Sequence, residues 1–495
     1  MGGQLSAATA RAEPSALQRL LSHILSYPAA LAAGLIAITA LSAFTRLEDP
    51  DLWWHLKNGE AIWNTHRIPA ADLYSFTAQG HPWIAHEWLS ELSLFAAYRL
   101  AGYSGLVLWV AVLGSLTYLI VYLLCWLTAR NALVSLRGGI IAFCFGSVGL
   151  GPRPLLVGSL FLAAELLVLE LGRTRRARWL WLLPPMFAVW VNCHGSWVFG
   201  MAVLAIYFVC SFFNRGFGRF VEEAFGADLR RSIGCVLAAC GAAVFLNPVG
   251  YRLVLYPFNL LISQKTNLNS VQEWLPPSLL DANTFVMLAV MGGVLLLAAS
   301  GRLSLREVAL VLIASALALQ HRRMLFLFGL LTAPALAHYG WAKEAKRANP
   351  LANALVIFGC LAAIVWLFPG KTNLEAQVEN RNPVGAVRYI RRAQPAGRML
   401  NDYRFGGYLI WALPETKVFV DGRTDIFDWT GVLDEYVRWA NLTDDPMALL
   451  DKYHIGFCLL YRDSAAARVM PYLPGWKKAF EDGLAVVFIR GNGTD

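Results

Sequence analysis

Charged residues are scarce in this chain, and their scarcity bears on its class. Of 495 residues only 15% are Asp, Glu, Lys or Arg, whereas 57% are hydrophobic. Soluble proteins typically carry about 25% charged residues. The composition therefore excludes an ordinary water-soluble protein and predicts a polytopic membrane protein.

Several familiar site motifs are also missing. The sequence has no glycine-rich phosphate loop, no HExxH motif and no Cys/His spacing typical of a metal site. Its eight cysteines are scattered singly, mostly in apolar stretches, which favours packing over a disulfide framework. The net charge of +9 comes from short Lys/Arg clusters between apolar stretches, so we expect no nucleic-acid partner.

The apolar stretches predict a mainly α fold with about eleven transmembrane helices, because one crossing needs about 20 apolar residues. The predicted spans are residues 28–45, 105–127, 138–151, 154–172, 179–193, 196–213, 232–247, 284–300, 306–320, 323–339 and 351–369. The first is interpreted as a retained signal anchor, since no cleavage motif follows it. A transmembrane domain over 28–369 thus follows a cytoplasmic segment, 1–27.

Positive charge recurs in alternate loops, on the same side as the N-terminus, and the positive-inside rule assigns that side to the cytoplasm. The opposite, outer face then receives the first loop (46–104), the turns near Arg153 and His194, the 248–283 loop and the tail. The 248–283 loop is predicted to form one or two short interfacial helices. The tail, 370–495, has a soluble composition and predicts an extracytoplasmic α/β domain.

Within the tail, RMLNDY, KVFVDGR, IGFCLLY and LAVVFIR are predicted strands, and GGYLIWALP and PMALLDKY are predicted helices. Polar residues follow the predicted strands and either bind a ligand or fix loops by hydrogen bonds. They are Asp402, Tyr403, Arg404, Asp421, Arg423 and Asp425.

The first loop holds most of the candidate chemistry. Its acids and imidazoles include Asp49, Asp51, His55, His86 and Glu87, set among Trp53, Trp54, Trp63, Trp83 and Trp88. Carboxylates and histidines can carry out proton or metal chemistry, and tryptophan favours a membrane surface. An aromatic belt with solvated polar residues is the alternative interpretation.

Basic residues on the predicted outer face run against the positive-inside trend and predict binding of a lipid phosphate. They are Arg153, Arg252, Lys265, Arg322 and Arg323. Taken singly, each is also compatible with snorkelling to lipid headgroups. His194, in a glycine turn, is either a site residue or a structural one, and Glu165 lies within the fourth predicted span.

The pattern EDPDLWWHLKNGEAIW, followed by HEWLSEL, resembles bacterial polytopic proteins related to the GT-C superfamily of lipid-linked-sugar glycosyltransferases. The resemblance is architectural and covers the whole chain: an acidic first loop, many spans and an outer α/β domain. It implies a polyprenyl-phosphate sugar donor, a sugar or glycan acceptor, and a location in the bacterial cytoplasmic (inner) membrane. It also implies that Asp49 or Asp51 is the general base.

Such a transfer also needs positive charge on the departing phosphate. The candidates for it are Arg153, Arg252, Lys265, Arg322 and Arg323. His194, His86 and Glu87 are the further substrate-binding candidates. His55 follows Asp51 by four residues, so on a helix the two share a face. They are expected to form an Asp/His base pair or, with Asp49, to bind a divalent cation. No cofactor is otherwise expected.

Two other functions remain open. A transporter of a lipid-linked intermediate would have a cavity that continues to the midplane and is lined by Glu165. An accessory subunit, with protein partners in a membrane complex, would have its first loop packed without a cavity. A transferase predicts that Asp49 or Asp51 faces a cavity that also contains two or more of the five cations.

Overall fold

The structure is a computed structural model that describes residues 15–45, 47–213, 225–271, 273–278, 282–300, 303–339 and 349–491. Within these ranges the chain is mainly helical, with one small sheet near the C-terminus. The helices before residue 370 are α1 (Ala16–Ile24), α2 (Tyr27–Ala43), α3 (Leu52–Thr65), α4 (Trp88–Ala129), α5 (Ala132–Gly146), α6 (Pro154–Thr174), α7 (Leu183–Trp190), α8 (Trp197–Cys210), α9 (Ala227–Ala243), α10 (Tyr251–Ser263), α11 (Lys265–Ser270), α12 (Ala282–Ala299), α13 (Leu305–Gln320), α14 (Leu325–His338) and α15 (Pro350–Trp366).

The described C-terminal region contains seven further helices and four strands. They are α16 (Lys371–Arg381), α17 (Val384–Ala393), β1 (Arg398–Asn401), α18 (Tyr403–Ala412), α19 (Thr424–Trp429), α20 (Val432–Ala440), α21 (Pro446–Lys452), β2 (Ile455–Tyr461), α22 (Ala465–Val469), β3 (Trp476–Glu481) and β4 (Ala485–Arg490). Short 3-10 helices cover Ser147–Gly149, Ala177–Leu182, Arg322–Met324 and Met470–Tyr472.

The apolar helices make the chain an integral membrane protein. By length and composition three described helices can cross a membrane: α4, α5 extended to Gly149, and α6. The pair α15 and α16, bent by 65°, would be a fourth. The predicted count of about eleven crossings is not confirmed. Each predicted span coincides at least partly with helix, but most of the other apolar helices have 17 residues or fewer, and a crossing needs about 20.

Helix α4 links the first loop to the membrane part. Its 42 residues are interrupted at Ala101 and Gly102, where Gly102 adopts a φ of 57° that favours glycine. The helix packs against α2, α3, α5 and α6. The first half of α4 therefore carries polar residues of the loop, while the second half lies among the apolar helices.

The first loop and the C-terminal domain share one hydrophobic core. Helix α3 buries Leu52, Trp53 and Leu56 in the same cluster as Phe405 and Leu409 of α18. Edge-to-face contact between the rings of Trp53 and Tyr408, 5.1 Å apart, joins the two helices. Because part of the loop is a wall of this core, its buried polar residues, such as His55 and Glu91, are held in fixed positions.

The C-terminal sheet has the strand order β1-β2-β4-β3, with β1 parallel to β2 and the other pairs antiparallel. The prediction of a strand at KVFVDGR was wrong. Val418 of this segment makes a single parallel bridge with Ser75, because the segment pairs with the first loop instead of the sheet. Strand β3 was not predicted, since its polar sequence, WKKAFE, lies at an exposed edge.

Residues 248–271 contain two short helices, α10 and α11, and one or two were predicted for the 248–283 loop. Both lie against the C-terminal domain. Tyr256 donates a hydrogen bond to Asp425 across 2.8 Å, and the backbone N–H of Asn267 donates to Asp428 across 3.0 Å. This segment therefore forms a wall between the membrane helices and the domain.

Candidate active site

The guanidinium group of Arg153 is the centre of the site, because it contacts three carboxylates. Its Nε lies 2.6 Å from Oδ2 of Asp49, and its Nη2 lies 3.1 Å from Oδ2 of Asp51. Its Nη1 lies 2.6 Å from Oε1 of Glu273. One buried cation thus joins the first loop, the start of α6 and the 248–283 loop.

Local sequence explains the position of Arg153. The next residue, Pro154, is the first residue of α6, and a residue before proline is biased towards extended backbone. Arg153 accordingly has φ −141° and ψ 156°, outside the helix. Gly151 lies close to Asp49: a Cβ placed there would be 3.3 Å from Oδ2 of Asp49.

Asp51 is the residue before the first turn of α3, but its side chain does not cap that helix. Instead its Oδ1 accepts a hydrogen bond from Nε1 of Trp54 across 3.1 Å. Its backbone N–H donates to Oδ1 of Asp49 across 3.0 Å. The side chain keeps 26% of its surface exposed, compared with 15% for Asp49. Asp51 is therefore the more accessible of the two acids.

A cavity of about 990 Å³ adjoins these residues. Asp49, Asp51, Arg153 and Arg323 all line it. Its opposite wall comes from the C-terminal domain and contains Tyr403, Arg404, Thr424, Tyr436 and Asn441. The two acids therefore face a cavity with two of the five predicted cations.

A neighbouring pocket of about 210 Å³ is rich in guanidinium groups. Its lining contains Arg153, Arg322 and Arg323 and one acidic residue, Glu273. Val148, Leu155 and Phe326 supply apolar walls, and Val148 is half exposed. Cations beside apolar surface suit an amphipathic anion such as a lipid phosphate.

Gly422 brings the C-terminal domain against the acids. A Cβ at this position would overlap Oδ1 of Asp51 and would lie 2.8 Å from Nε1 of Trp54. Gly407 makes a similarly close approach to the backbone of Pro50. Glycine at these two positions therefore allows the domain to approach the first loop.

A second polar cluster lies behind Asp51 and surrounds Glu87. The Nε2 atoms of His194, His86 and His55 lie 3.4, 3.6 and 3.9 Å from its carboxylate oxygens. The Nδ1 atom of His55 lies 3.0 Å from Oε1 of Glu91. Three of the predicted substrate-binding residues, His86, Glu87 and His194, are thus together, but away from the larger cavity.

Burial changes the proton affinities of both clusters. It raises the pKa of Asp51 to about 7, against the opposing charge of Arg153. It raises the pKa of Glu87 to about 7 as well, against Arg323 and Arg153. Although burial opposes it, the charge of Arg153 lowers the pKa of Glu273. The site therefore contains two acids that change charge near neutral pH.

The expected Asp51–His55 base pair is not formed. The His55 side chain turns towards Glu91 and Glu87, whereas Asp51 bonds to Trp54 and Arg153. The backbone of Asp51 is helical and its carbonyl accepts from the N–H of His55, but Trp54 and Arg153 hold its carboxylate away from the imidazole. Among the described residues, no group of three or more His, Cys, Asp or Glu side chains is arranged to hold a metal ion. The expected cation site of Asp49, Asp51 and His55 is therefore not formed.

One of the predicted cations, Arg252, does not join the site. Arg252 is exposed on α10 and does not line the cavities that contain Asp51 and Arg153. The side chain of Lys265 lies outside the part of the chain that the structure describes. Arg322 and Arg323 do line the guanidinium-rich pocket.

Sequence reasoning missed several site residues. Glu273 belongs to the 248–283 loop, which was predicted only to form interfacial helices, but it contacts Arg153 directly. Tyr403 and Arg404 were candidates only as general strand-end residues, yet they line the cavity. Gly422 gave no signal apart from its place in VDGR, between an aspartate and an arginine that the sequence did single out.

Comparisons with known proteins agree on the fold. The structure matches ArnT from Cupriavidus metallidurans with a TM-score of 0.53, over 93% of this chain and 98% of ArnT, at 13% sequence identity. It matches the archaeal oligosaccharyltransferase AglB from Archaeoglobus fulgidus with a TM-score of 0.51, over 87% of this chain and 69% of AglB, at 11% identity. No protein-family model and no curated protein matches the sequence. The chain therefore shares the fold of ArnT and AglB, in line with the resemblance that its sequence shows to GT-C proteins.

Proposed function

We propose that this protein is a membrane glycosyltransferase that moves a sugar from a polyprenyl-phosphate carrier to an acceptor hydroxyl at the outer face of the membrane. One observation carries the proposal: Asp49 and Asp51 meet Arg153 at the wall of a cavity that Arg323 also lines. A proton acceptor and cations for a phosphate therefore occupy one space.

The donor phosphate is assigned to the guanidinium-rich pocket of Arg153, Arg322 and Arg323. The apolar walls of this pocket suit the first part of an isoprenoid chain, whose remainder would lie in the lipid. Positive charge there stabilises the phosphate as it departs with the electron pair of the broken bond. Arg323 also lies over the ring of Trp274, 5.3 Å from its centroid, which restrains its guanidinium.

Asp51 is assigned as the general base and Asp49 as the residue that orients Arg153. Asp49 contacts Arg153 through two atoms, Nε at 2.6 Å and Nη2 at 3.0 Å, whereas Asp51 contacts only Nη2. In the reaction the acceptor oxygen bonds to the sugar carbon, the bond from that carbon to the phosphate oxygen breaks, and the hydroxyl proton passes to Asp51. Its raised pKa suits it to accept a proton at neutral pH.

The solved structures with this fold support the lipid assignment. The ArnT structure is bound to undecaprenyl phosphate, and the AglB structure is in complex with a dolichol-phosphate and an inhibitory peptide. Both lipids combine a phosphate with an isoprenoid chain. The proposed donor has the same chemistry, and its sugar and acceptor are matters for experiment.

The geometry favours transfer over the two other functions. Glu165 lines neither the 990 Å³ cavity nor the smaller pockets beside it, which disfavours the transporter. A first loop packed without a cavity would have favoured an accessory subunit, but Asp49 and Asp51 line a large one.

The proposal is tested with membranes that contain or lack the protein, given labelled polyprenyl-phosphate sugars and a lipid extract as the acceptor source. The wild type should produce a labelled product, and Asp51→Asn should reduce transfer by about 100-fold or more, as expected when a general base is removed. Asp463→Asn is the control, because Asp463 is exposed on the C-terminal domain. Near-normal transfer by both Asp51→Asn and Asp49→Asn would remove the proposed base, and no product with any donor would overturn the function.

Arg323→Ala tests the donor pocket. It should raise the KM for the polyprenyl-phosphate sugar about tenfold, because one charge-assisted contact to phosphate contributes roughly 1.5–3 kcal/mol. Arg67→Ala removes an exposed arginine of the first loop and should leave the KM unchanged. An unchanged donor KM in Arg323→Ala would place the phosphate elsewhere.

A further inference from the structure

Behind the proposed base, Glu87 and His86 face each other as two groups that can form a hydrogen bond only if they share a proton. The Nε2 atom of His86 lies 3.6 Å from Oε1 of Glu87, too far for a good hydrogen bond but close enough for one after a small movement. His194 approaches the same oxygen at 3.4 Å. Two imidazoles therefore converge on one carboxylate oxygen.

The contacts of the two Nδ1 atoms determine which nitrogen of each neutral imidazole carries the hydrogen. Nδ1 of His194 accepts from the backbone N–H of Ser196 across 3.0 Å, so the neutral ring carries its hydrogen on Nε2 and directs it to Glu87. Nδ1 of His86 instead faces the carbonyl oxygen of Ile84 at 3.2 Å. That nitrogen is the donor, so Nε2 of neutral His86 presents a lone pair to Glu87.

Two lone pairs thus face each other when Glu87 is ionised and His86 is neutral. Such a contact is repulsive, and a proton placed between the two atoms converts it into a hydrogen bond. The pair therefore binds one proton favourably, because the Ile84 carbonyl selects the His86 tautomer whose Nε2 lone pair faces Glu87.

A small chamber connects this pair to the proposed base. It has a volume of about 100 Å³, and its lining includes Asp51, His86 and Glu87 together with Tyr256 and Asp425. A space of this size admits water, and polar side chains line it. A proton can pass through such a chamber from Asp51 to Glu87 by exchange along hydrogen bonds.

We infer that Glu87 and His86 form a proton-accepting pair that takes the acceptor's proton from Asp51 and returns Asp51 to its ionised form. This inference rests on the proposed function. The proton leaves the carboxyl group of Asp51, crosses the chamber and is shared by Oε1 of Glu87 and Nε2 of His86. It is released to the outer solution before the next turnover.

The charges around Glu87 are consistent with this role. Burial raises the pKa of Glu87 to about 7 and lowers the pKa values of His86 and His194, so the shared proton resides mainly on Glu87. The titratable and charged groups that face the pair are His55, Glu91, Cys193, His194, Tyr256, Arg153, Arg323 and Asp425.

The first experiment needs no transferase activity. Infrared difference spectra of the whole protein in lipid nanodiscs are recorded as pH is raised from 5 to 9. The Glu87→Gln variant should lack one carboxyl band that the wild type loses with a midpoint near pH 7. His86→Asn should move that midpoint down by about half a unit or more, because protonated Glu87 loses its acceptor. His81→Asn is the matched control: His81 lies in the same loop, also faces a backbone carbonyl through Nδ1, and is partly exposed.

The second experiment uses transfer of a labelled polyprenyl-phosphate sugar. Glu87→Gln and His86→Asn should lower kcat about tenfold, increase the solvent deuterium isotope effect on kcat, and leave the donor KM unchanged. A purely structural role would reduce the active fraction without changing the isotope effect. His81→Asn should behave as the wild type.

The outcomes separate this inference from the proposed function. If Asp51→Asn is inactive but Glu87→Gln has the wild-type kcat and isotope effect, the proton pair is wrong and the transferase stands. If no carboxyl band assigned to Glu87 titrates between pH 5 and 9, the pair is wrong whatever the activity. Stoichiometric binding of Zn²⁺ that His86→Asn abolishes would show a metal site in its place and overturn it.

Discussion

Arg423 of the C-terminal domain donates from Nη1 to Oδ1 of Asp72 in the first loop across 2.6 Å, and neither side chain is exposed. The same guanidinium donates from Nε and Nη2 to Asp421. It also lies over the rings of Tyr74 and Trp83. This buried network holds the domain against the loop, and the residue before Arg423 is Gly422, which touches Asp51.

Asp72→Asn should destabilise this docking. The substitution removes one of the two carboxylates that pair with Arg423, and a hydrogen bond to a charged group typically contributes roughly 1.5–3 kcal/mol. Asp421 still compensates the guanidinium charge, so the loss should stay within that range. We expect a lower midpoint of thermal unfolding in detergent and faster proteolysis at the junction before the C-terminal domain.

Asp434→Asn is the control for that experiment. Asp434 pairs with Arg438, which also contacts a second aspartate, Asp444, but both members are about half exposed. An exposed pair contributes about 0–1 kcal/mol, so the unfolding midpoint should hardly change. Equal effects of the two substitutions would contradict a special role for the buried network.

Gly422→Ala should impair transfer without a charge change. The added methyl group would overlap Oδ1 of Asp51 and press on Trp54, so the acid must move away from Arg153. We expect kcat/KM to fall about tenfold or more, since a displacement of about 1 Å in a catalytic group has effects of this order. Gly483→Ala is the control, because a methyl group there meets nothing within 4 Å. Wild-type transfer by Gly422→Ala would show that Asp51 tolerates displacement.

Transfer should decline on the acid side of neutrality. Asp51 must be ionised to accept a proton, and burial raises its pKa to about 7. As pH falls through this value the carboxylate is protonated and the base is lost, whereas an ordinary aspartate would stay ionised. The measurement is kcat/KM between pH 5 and 9, which should rise to a plateau with a midpoint near 7. Glu87→Gln should keep that midpoint, and a flat profile between pH 5 and 8 would be incompatible with Asp51 as the titrating base.

Glu165→Gln should leave transfer unchanged. Glu165 is fully buried in α6, and within the described structure neither of its carboxylate oxygens has a hydrogen-bond partner. The amide has nearly the same shape, so neither packing nor the proposed site should suffer. Transfer and the thermal midpoint are measured side by side. Loss of activity with normal folding would favour the transporter, whose pathway was expected to contain this residue.

The parts of this protein that sequence predicted well are those governed by local composition. Apolar stretches became helices, the polar tail became an α/β domain, and the 248–283 loop became two short helices. Each of these outcomes depends on hydrophobic periodicity and turn residues over about 10–20 positions. The errors occurred where a segment had a distant partner, as when Val418 paired with Ser75 of the first loop instead of the sheet.

The contacts between the side chains of the candidate site could not be predicted from local composition. The sequence singled out Asp49, Asp51 and Arg153 separately, because acids and outer-face cations are unusual in an apolar chain. It also suggested His55 as the partner of Asp51 from helical spacing. That suggestion failed because Arg153 and Trp54 contact the Asp51 carboxylate, whereas Glu91 and Glu87 lie beside the His55 imidazole. Arg153 is more than one hundred positions away, and no local pattern relates it to Asp51.

The amino-acid sequence by itself determined that this is an apolar, helical membrane protein with an acidic first loop and a polar C-terminal domain, since these properties follow from which residues prefer lipid or water. Only the tertiary structure decided that three carboxylates share Arg153, that Gly422 closes the domain over Asp51, and that Glu87 and His86 face each other. Those relationships depend on the packing of segments up to several hundred residues apart, where shape and buried charge select partners that sequence distance does not reveal.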